Sequence, residues 1–145
     1  MDGSTMSEIH HDISINATPE TVYQALTTAQ GLSAWFTSQV TGSGEVGSNW
    51  KLSITDQPYF SWEILQSENQ QRVLWECLDG PGNAPGTEVE FVLKSASNDH
   101  TNLTISHRGW KDHDPKFTRC IEIWRTLMNH LQNYCETGEE EPAYR

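Results

Sequence analysis

Basic residues are scarce in this chain: nine lysines and arginines stand against twenty aspartates and glutamates, for a formal net charge of -11. A surface that negative repels phosphate backbones and anionic lipid, so neither nucleic acid nor membrane is an expected partner. Cysteine is sparser still. Cys77, Cys120 and Cys135 show no Cys-x-x-Cys spacing, and an odd, scattered set suits reduced buried thiols in the cytoplasm better than a disulfide framework. No apolar run is long enough to cross a bilayer, and the start lacks the basic-then-apolar order of a signal peptide. Neither a Gly-x-Ser-x-Gly elbow nor a Gly-Lys-Ser/Thr phosphate loop occurs.

What the chain does hold is tryptophan, six in 145 residues. Each indole brings a large apolar area and one N–H that needs an acceptor when buried. The length suits one domain with a substantial core. Residues 8–138 are read as that domain, with 1–7 and 139–145 as loose termini; Glu139, Glu140 and Glu141 make the last segment acidic.

Ile9, Ile13 and Ile15 suggest a first strand, imperfectly alternating. Thr18-Pro19-Glu20 then has the signature of a helix start, with Thr18 as N-cap. Val22, Ala25 and Leu26 form its apolar side, Gly31 interrupts it, and 32–36 reads as a second short turn of helix. The glycine-rich stretch 41–47 is a turn.

From there the pattern has period two. Trp50, Leu52 and Ile54, then Phe60, Trp62 and Ile64, then Val73, Trp75 and Cys77, then Val89, Phe91 and Leu93, then Leu103, Ile105 and His107 occupy alternate positions. Such alternation marks strands with one buried face. The breaks at 55–58, 68–71 and 97–100 are short, with a longer Gly/Pro-rich loop over 79–86. Short breaks imply antiparallel neighbours.

A single amphipathic helix follows, with Asp114 placed to cap it, Pro115 to start it and Gly138 to stop it. Phe117, Ile121, Trp124, Met128, Leu131 and Cys135 form its apolar stripe, widened by Cys120, Leu127 and Tyr134. At about 1.5 Å per residue it is about 34 Å long, enough to span a sheet. The whole predicts an α+β helix-grip fold: a curved antiparallel sheet of about six strands around a long C-terminal helix, with two short helices after the first strand.

Several segments in this order carry a resemblance. They are 17–27 (Ala-Thr-Pro-Glu-Thr-Val-Tyr-Gln-Ala-Leu-Thr), Leu32-x-x-Trp35-Phe36, Gly47-x-x-Trp50, Arg72-Val73-Leu74-Trp75-Glu76, Leu103-Thr104-Ile105-Ser106-His107-x-Gly109-Trp110, and Trp124-x-x-Leu127-x-x-x-Leu131-x-x-Tyr134 before Gly138. Together they make the chain resemble a single-domain bacterial relative of the activator of the heat-shock protein 90 ATPase, in the SRPBCC (START-like) superfamily. The resemblance implies the helix-grip fold directly. It leaves function open, because superfamily members include lipid carriers, hormone receptors, polyketide cyclases and co-chaperones.

The functional expectation is a cavity between the last helix and the sheet, holding an apolar or aromatic small molecule. Trp35 and Phe36 would gate it; Trp50, Phe60, Trp62, Trp75, Phe91, Trp124 and Met128 would wall it; His107, on the inward parity, would orient a polar group. The bland alternative is a solid core in which His107 bonds to backbone or water. A rival from another class is a chaperone-associated interaction module that uses the acidic exterior. A third reading is a cyclase- or hydrolase-like enzyme with His107 as acid or base. His107, Asp112, His113 and Asp114 cluster, but their spacing matches no established metal-ligand pattern, so neither metal nor cofactor is expected. Glu63, Glu76, Glu88 and Glu90 have outward parity, which argues against paired-carboxylate chemistry. The chain is expected to be a monomer or a homodimer.

Overall fold

The computed structural model describes residues 6–53, 60–80, 84–97, 99–111 and 115–144. In chain order these form β1 (Met6–Ile15), α1 (Pro19–Thr27), α2 (Ala29–Trp35), β2 (Val40–Thr41), β3 (Asn49–Leu52), β4 (Phe60–Glu68), β5 (Arg72–Asp79), β6 (Glu88–Ser97), β7 (His100–Lys111) and α3 (Pro115–Thr137). Ile54, the 55–58 turn, Asn98 and the cap residue Asp114 lie outside the described residues, as do 81–83 of the long loop.

All seven strands join one antiparallel sheet in the order β1-β7-β6-β5-β4-β3-β2. The strand beyond the predicted six is β2, two residues paired to β3 and too short to show periodicity. The chain thus meanders from β2 to β7, and β1 closes onto β7 at the far edge.

The first helix is capped as the sequence requires: Thr18 Oγ1 accepts from the N–H of Thr21 at 3.2 Å, and Pro19 opens the first turn. The break between the short helices falls at Thr28 and not at Gly31. Thr28 ends α1 and caps α2, its Oγ1 accepting from the N–H of Gly31 at 2.9 Å. Gly31 sits inside α2 for a packing reason. A Cβ there would lie 2.7 Å from Ala25 Cα and 2.8 Å from the Ala25 carbonyl oxygen, so the missing side chain lets the two helices touch.

The third helix buries Cys120, Trp124, Leu127, Met128, Leu131 and Cys135 among the inward side chains of the sheet. Gly138 ends it in the left-handed region (φ 81°), its N–H donating to the Tyr134 carbonyl at 2.8 Å. Gln132 Nε2 donates to the Ser14 carbonyl at 3.0 Å, and Glu136 accepts from the N–H of Asn16 at 2.9 Å. These two bonds tie the end of α3 to the end of β1.

The segment after α3 is hydrogen-bonded along the chain that follows α2. Ala143 N–H donates to the Trp35 carbonyl and Tyr144 N–H to the Phe36 carbonyl, while Ser38 N–H donates to the Tyr144 carbonyl, at 3.0, 3.1 and 3.1 Å. The His130 ring also bonds the Glu141 carbonyl at 2.6 Å. A loose end was expected here because acidic residues hide a contact made by backbone groups. Of the start, Met6 and Ser7 already belong to β1.

Candidate functional site

Five of the ten residues expected to form a binding site converge on one opening between α3 and the sheet. Phe36 comes from the end of α2, Phe60 and Trp62 from the start of β4, His107 from β7, and Trp124 from α3; Cys120, Ile123 and Leu127 of α3 complete the lining. The space these residues bound is about 20 Å³. That holds roughly one water molecule, whereas benzene occupies an engineered cavity of about 150 Å³. At this opening the expected ready-made cavity between α3 and the sheet is therefore not present among the described residues. The reason is steric, since the indoles of Trp62 and Trp124 take up the room between helix and sheet.

The other five expected residues are core. Trp35 is fully buried and its Nε1–H donates to the Ala25 carbonyl at 2.8 Å, so it ties α2 to α1 and is no gate. The Trp50 ring lies under the loop after β2, where a Cβ on Gly42 would come within 2.5 Å of it. Trp75 backs Trp62 at 6.0 Å between ring centroids and packs edge-on to Phe91 at 4.9 Å. Phe91 in turn meets Trp124 at 6.1 Å, and Met128 is buried in the same core.

His107 does point inward, as its parity requires, but both its nitrogens are in use. Trp124 Nε1–H donates to Nδ1 at 2.9 Å. Nδ1 is therefore the acceptor and Nε2 carries the proton, which it donates to Thr87 Oγ1 at 2.9 Å. The Thr87 hydroxyl passes the chain on to the Ala84 carbonyl at 2.7 Å. Burial disfavours the imidazolium and pushes the pKa down to about 3. At neutral pH this ring is a neutral strut with both nitrogens hydrogen-bonded, with neither a spare nitrogen to orient a ligand nor the basicity to take up a proton.

Trp110 is the aromatic that alternation concealed. It has the opposite parity to His107, yet it is fully buried with its ring 5.0 Å from the imidazole. Ser7 pairs with Trp110 and Glu8 with Arg108, which leaves Gly109 as an extra residue on β7. That bulge, with φ 96° at Gly109, restores the inward direction one residue later. The glycine was the available signal. Thr87 had none, because it lies at the end of an irregular loop.

The outer face of the sheet carries the charges. Glu90 receives Arg72 and Arg108, the latter at 3.0 Å, and Arg108 also reaches Glu88 at 3.3 Å. The two guanidiniums hold the Glu90 carboxyl below its ordinary range against the opposing effect of burial. These acids are bound into ion pairs, away from the opening. Among the described residues no group of His, Cys, Asp and Glu could hold a metal ion, and no helix is long and apolar enough to cross a membrane. Asp112, His113 and Asp114, on which a metal reading turned, are outside the described residues.

The solution structure of an Aha1 dimer from Colwellia psychrerythraea is similar to this chain at 30% identity and a TM-score of 0.82, covering 91% of this chain and 98% of that one. The Bacillus halodurans protein BH1534 is similar at 24% identity, with a TM-score of 0.74, 92% of this chain and all of that chain covered (100%). CalU16 from Micromonospora echinospora shares the fold at 20% identity and a TM-score of 0.73, with 92% and 76% covered. No curated protein matches. The family model described as Activator of Hsp90 ATPase homolog 1-like protein matches residues 16–136, and the chain belongs to that family.

Proposed function

We propose that this protein binds an uncharged apolar or aromatic small molecule at the opening between α3 and the start of β4. One observation carries the reading. Phe36, Phe60, Trp62, Ile123, Trp124 and Leu127, from three separate parts of the chain, surround a solvent-facing apolar mouth, with no charged group among the described residues of its lining. Apolar lining with few polar atoms is the ordinary character of a small-molecule site. The space there is about 20 Å³, so on this reading a guest enters by parting α3 from the start of β4. The free energy of that opening is subtracted from the affinity.

Native mass spectrometry of the purified protein and titration with a panel of polycyclic aromatics, read by tryptophan emission, test the proposal. A retained or saturating guest supports it. A folded sample with no change across the whole panel defeats it.

The family supports a second reading, a chaperone-associated module acting on an Hsp90-type ATPase, with the acidic exterior as the contact surface. Co-purification with the chaperone and stimulation of its ATPase would favour that reading. The Colwellia psychrerythraea relative is described as a dimer, so the assay is best run with the oligomeric state measured alongside.

A further inference from the structure

The polar groups of the residues that line the mouth are unequally occupied. Trp124 Nε1–H is taken by His107 Nδ1, and His107 Nε2–H by Thr87. Trp62 is 3% exposed, and its Nε1–H is fully buried with no acceptor among the described residues. Trp50, Trp75 and Trp110 also have unpartnered indole N–H groups, but none of the three lines the opening. A buried donor left without an acceptor costs about 1–3 kcal/mol. Trp62 is held in place by its neighbours, stacked on Phe60 at 6.1 Å and edge-on to His107 at 5.6 Å.

Resting on the reading above, we infer that the guest carries an uncharged hydrogen-bond acceptor, such as an aromatic ketone or quinone oxygen, which receives the Trp62 indole N–H. The rest of the wall explains the selection. Among the described residues of the lining, a carboxylate would find no cation to meet it, and an ammonium no anion. A plain hydrocarbon would fill the space but leave the Trp62 donor unpaired. An aromatic carbonyl compound satisfies both demands.

Fluorenone and fluorene, alike in shape and differing by the carbonyl, test this, with fluorene-9-carboxylate as the charged control. Binding is measured on the wild-type protein and on Trp62→Phe by native mass spectrometry and displacement titration. The wild type is expected to favour fluorenone about fivefold to tenfold over fluorene, as one net hydrogen bond provides, and to reject the carboxylate. In Trp62→Phe the ratio is expected to fall to about one. In wild-type protein labelled with nitrogen-15, one indole N–H signal should move downfield with fluorenone and not with fluorene, a readout that does not depend on the variant folding. Equal affinity for the pair in the wild type, with no indole signal responding to the carbonyl, overturns the inference while leaving the binding reading intact. Failure of all three compounds to bind overturns both.

Discussion

The indole of Trp124 on α3 donates to Nδ1 of His107 on β7 across 2.9 Å, with the two rings perpendicular. One bond thus joins the long helix to β7, the strand beside edge strand β1, and Thr87 holds the other side of the imidazole. Removing the ring would leave a donor and a hydroxyl facing each other across a void.

The His107→Ala variant is accordingly expected to lose about 3–5 kcal/mol of stability, from the cavity and the unpaired groups together. Trp124→Phe should lose about 1–3 kcal/mol, and the double variant less than the sum, because both remove the same bond. Urea unfolding of the three proteins checks this. A His107→Ala protein as stable as the wild type would show that the chain of bonds contributes nothing.

The same ring makes stability depend on pH. The folded-state pKa of His107 is pushed down to about 3 from an unfolded value of 6.5, and burial also lowers that of His11. The unfolded state therefore binds more protons below about pH 6.5, and stability is lost as pH falls. The shift at His107 contributes roughly 1.4 kcal/mol per pH unit through that window, and His11 acts in the same direction. The lowered carboxyls Glu90 and Glu136 add their own loss only near and below their ordinary value of 4.5. Unfolding midpoints between pH 7 and 5 should drop in the wild type, and the slope should be smaller in His107→Gln. An identical slope in the two proteins would exclude the assignment.

Gly31→Ala should destabilise by roughly 2–3 kcal/mol, the cost of an overpacked methyl. This holds although alanine favours helix more than glycine does. The added carbon would press on backbone atoms of Ala25 and Gln24 at 2.7–2.8 Å, which cannot turn aside as a flexible side chain can. A thermal shift upward would refute the contact.

Truncation after Gly138 removes the bonds from Ala143 and Tyr144 to the Trp35–Ser38 backbone. At about 0.5–1.5 kcal/mol net each, the three should be worth about 2 kcal/mol or more. Hydrogen exchange at Ser38 should quicken in the truncated protein. Unchanged exchange there, with an unchanged melting temperature, would mean the segment holds nothing in place.

Much of this was legible in the residues. Thr18, Pro19 and Gly138 act as written because caps and stops depend on local backbone groups. Phe60, Trp62, Trp75, Phe91 and His107 face inward because a strand has period two. Trp110 escaped, since one extra residue at Gly109 inverts that period. Trp35 was misassigned as a gate, since its placement depends on the approach of α2 to α1 that Gly31 permits.

The amino-acid order alone determined the helix-grip architecture, the acidic exterior and the concentration of indoles between helix and sheet. These follow from periodicity and charge, which act over a few neighbouring residues. Tertiary structure decided which polar atoms found partners, and how much space the indoles left. His107 and Trp62 both face inward; one is satisfied on both nitrogens and the other has no acceptor for its N–H among the described residues. That difference arises where α3, β4, β7 and the Thr87 loop meet, a distance relation between segments that no local pattern encodes.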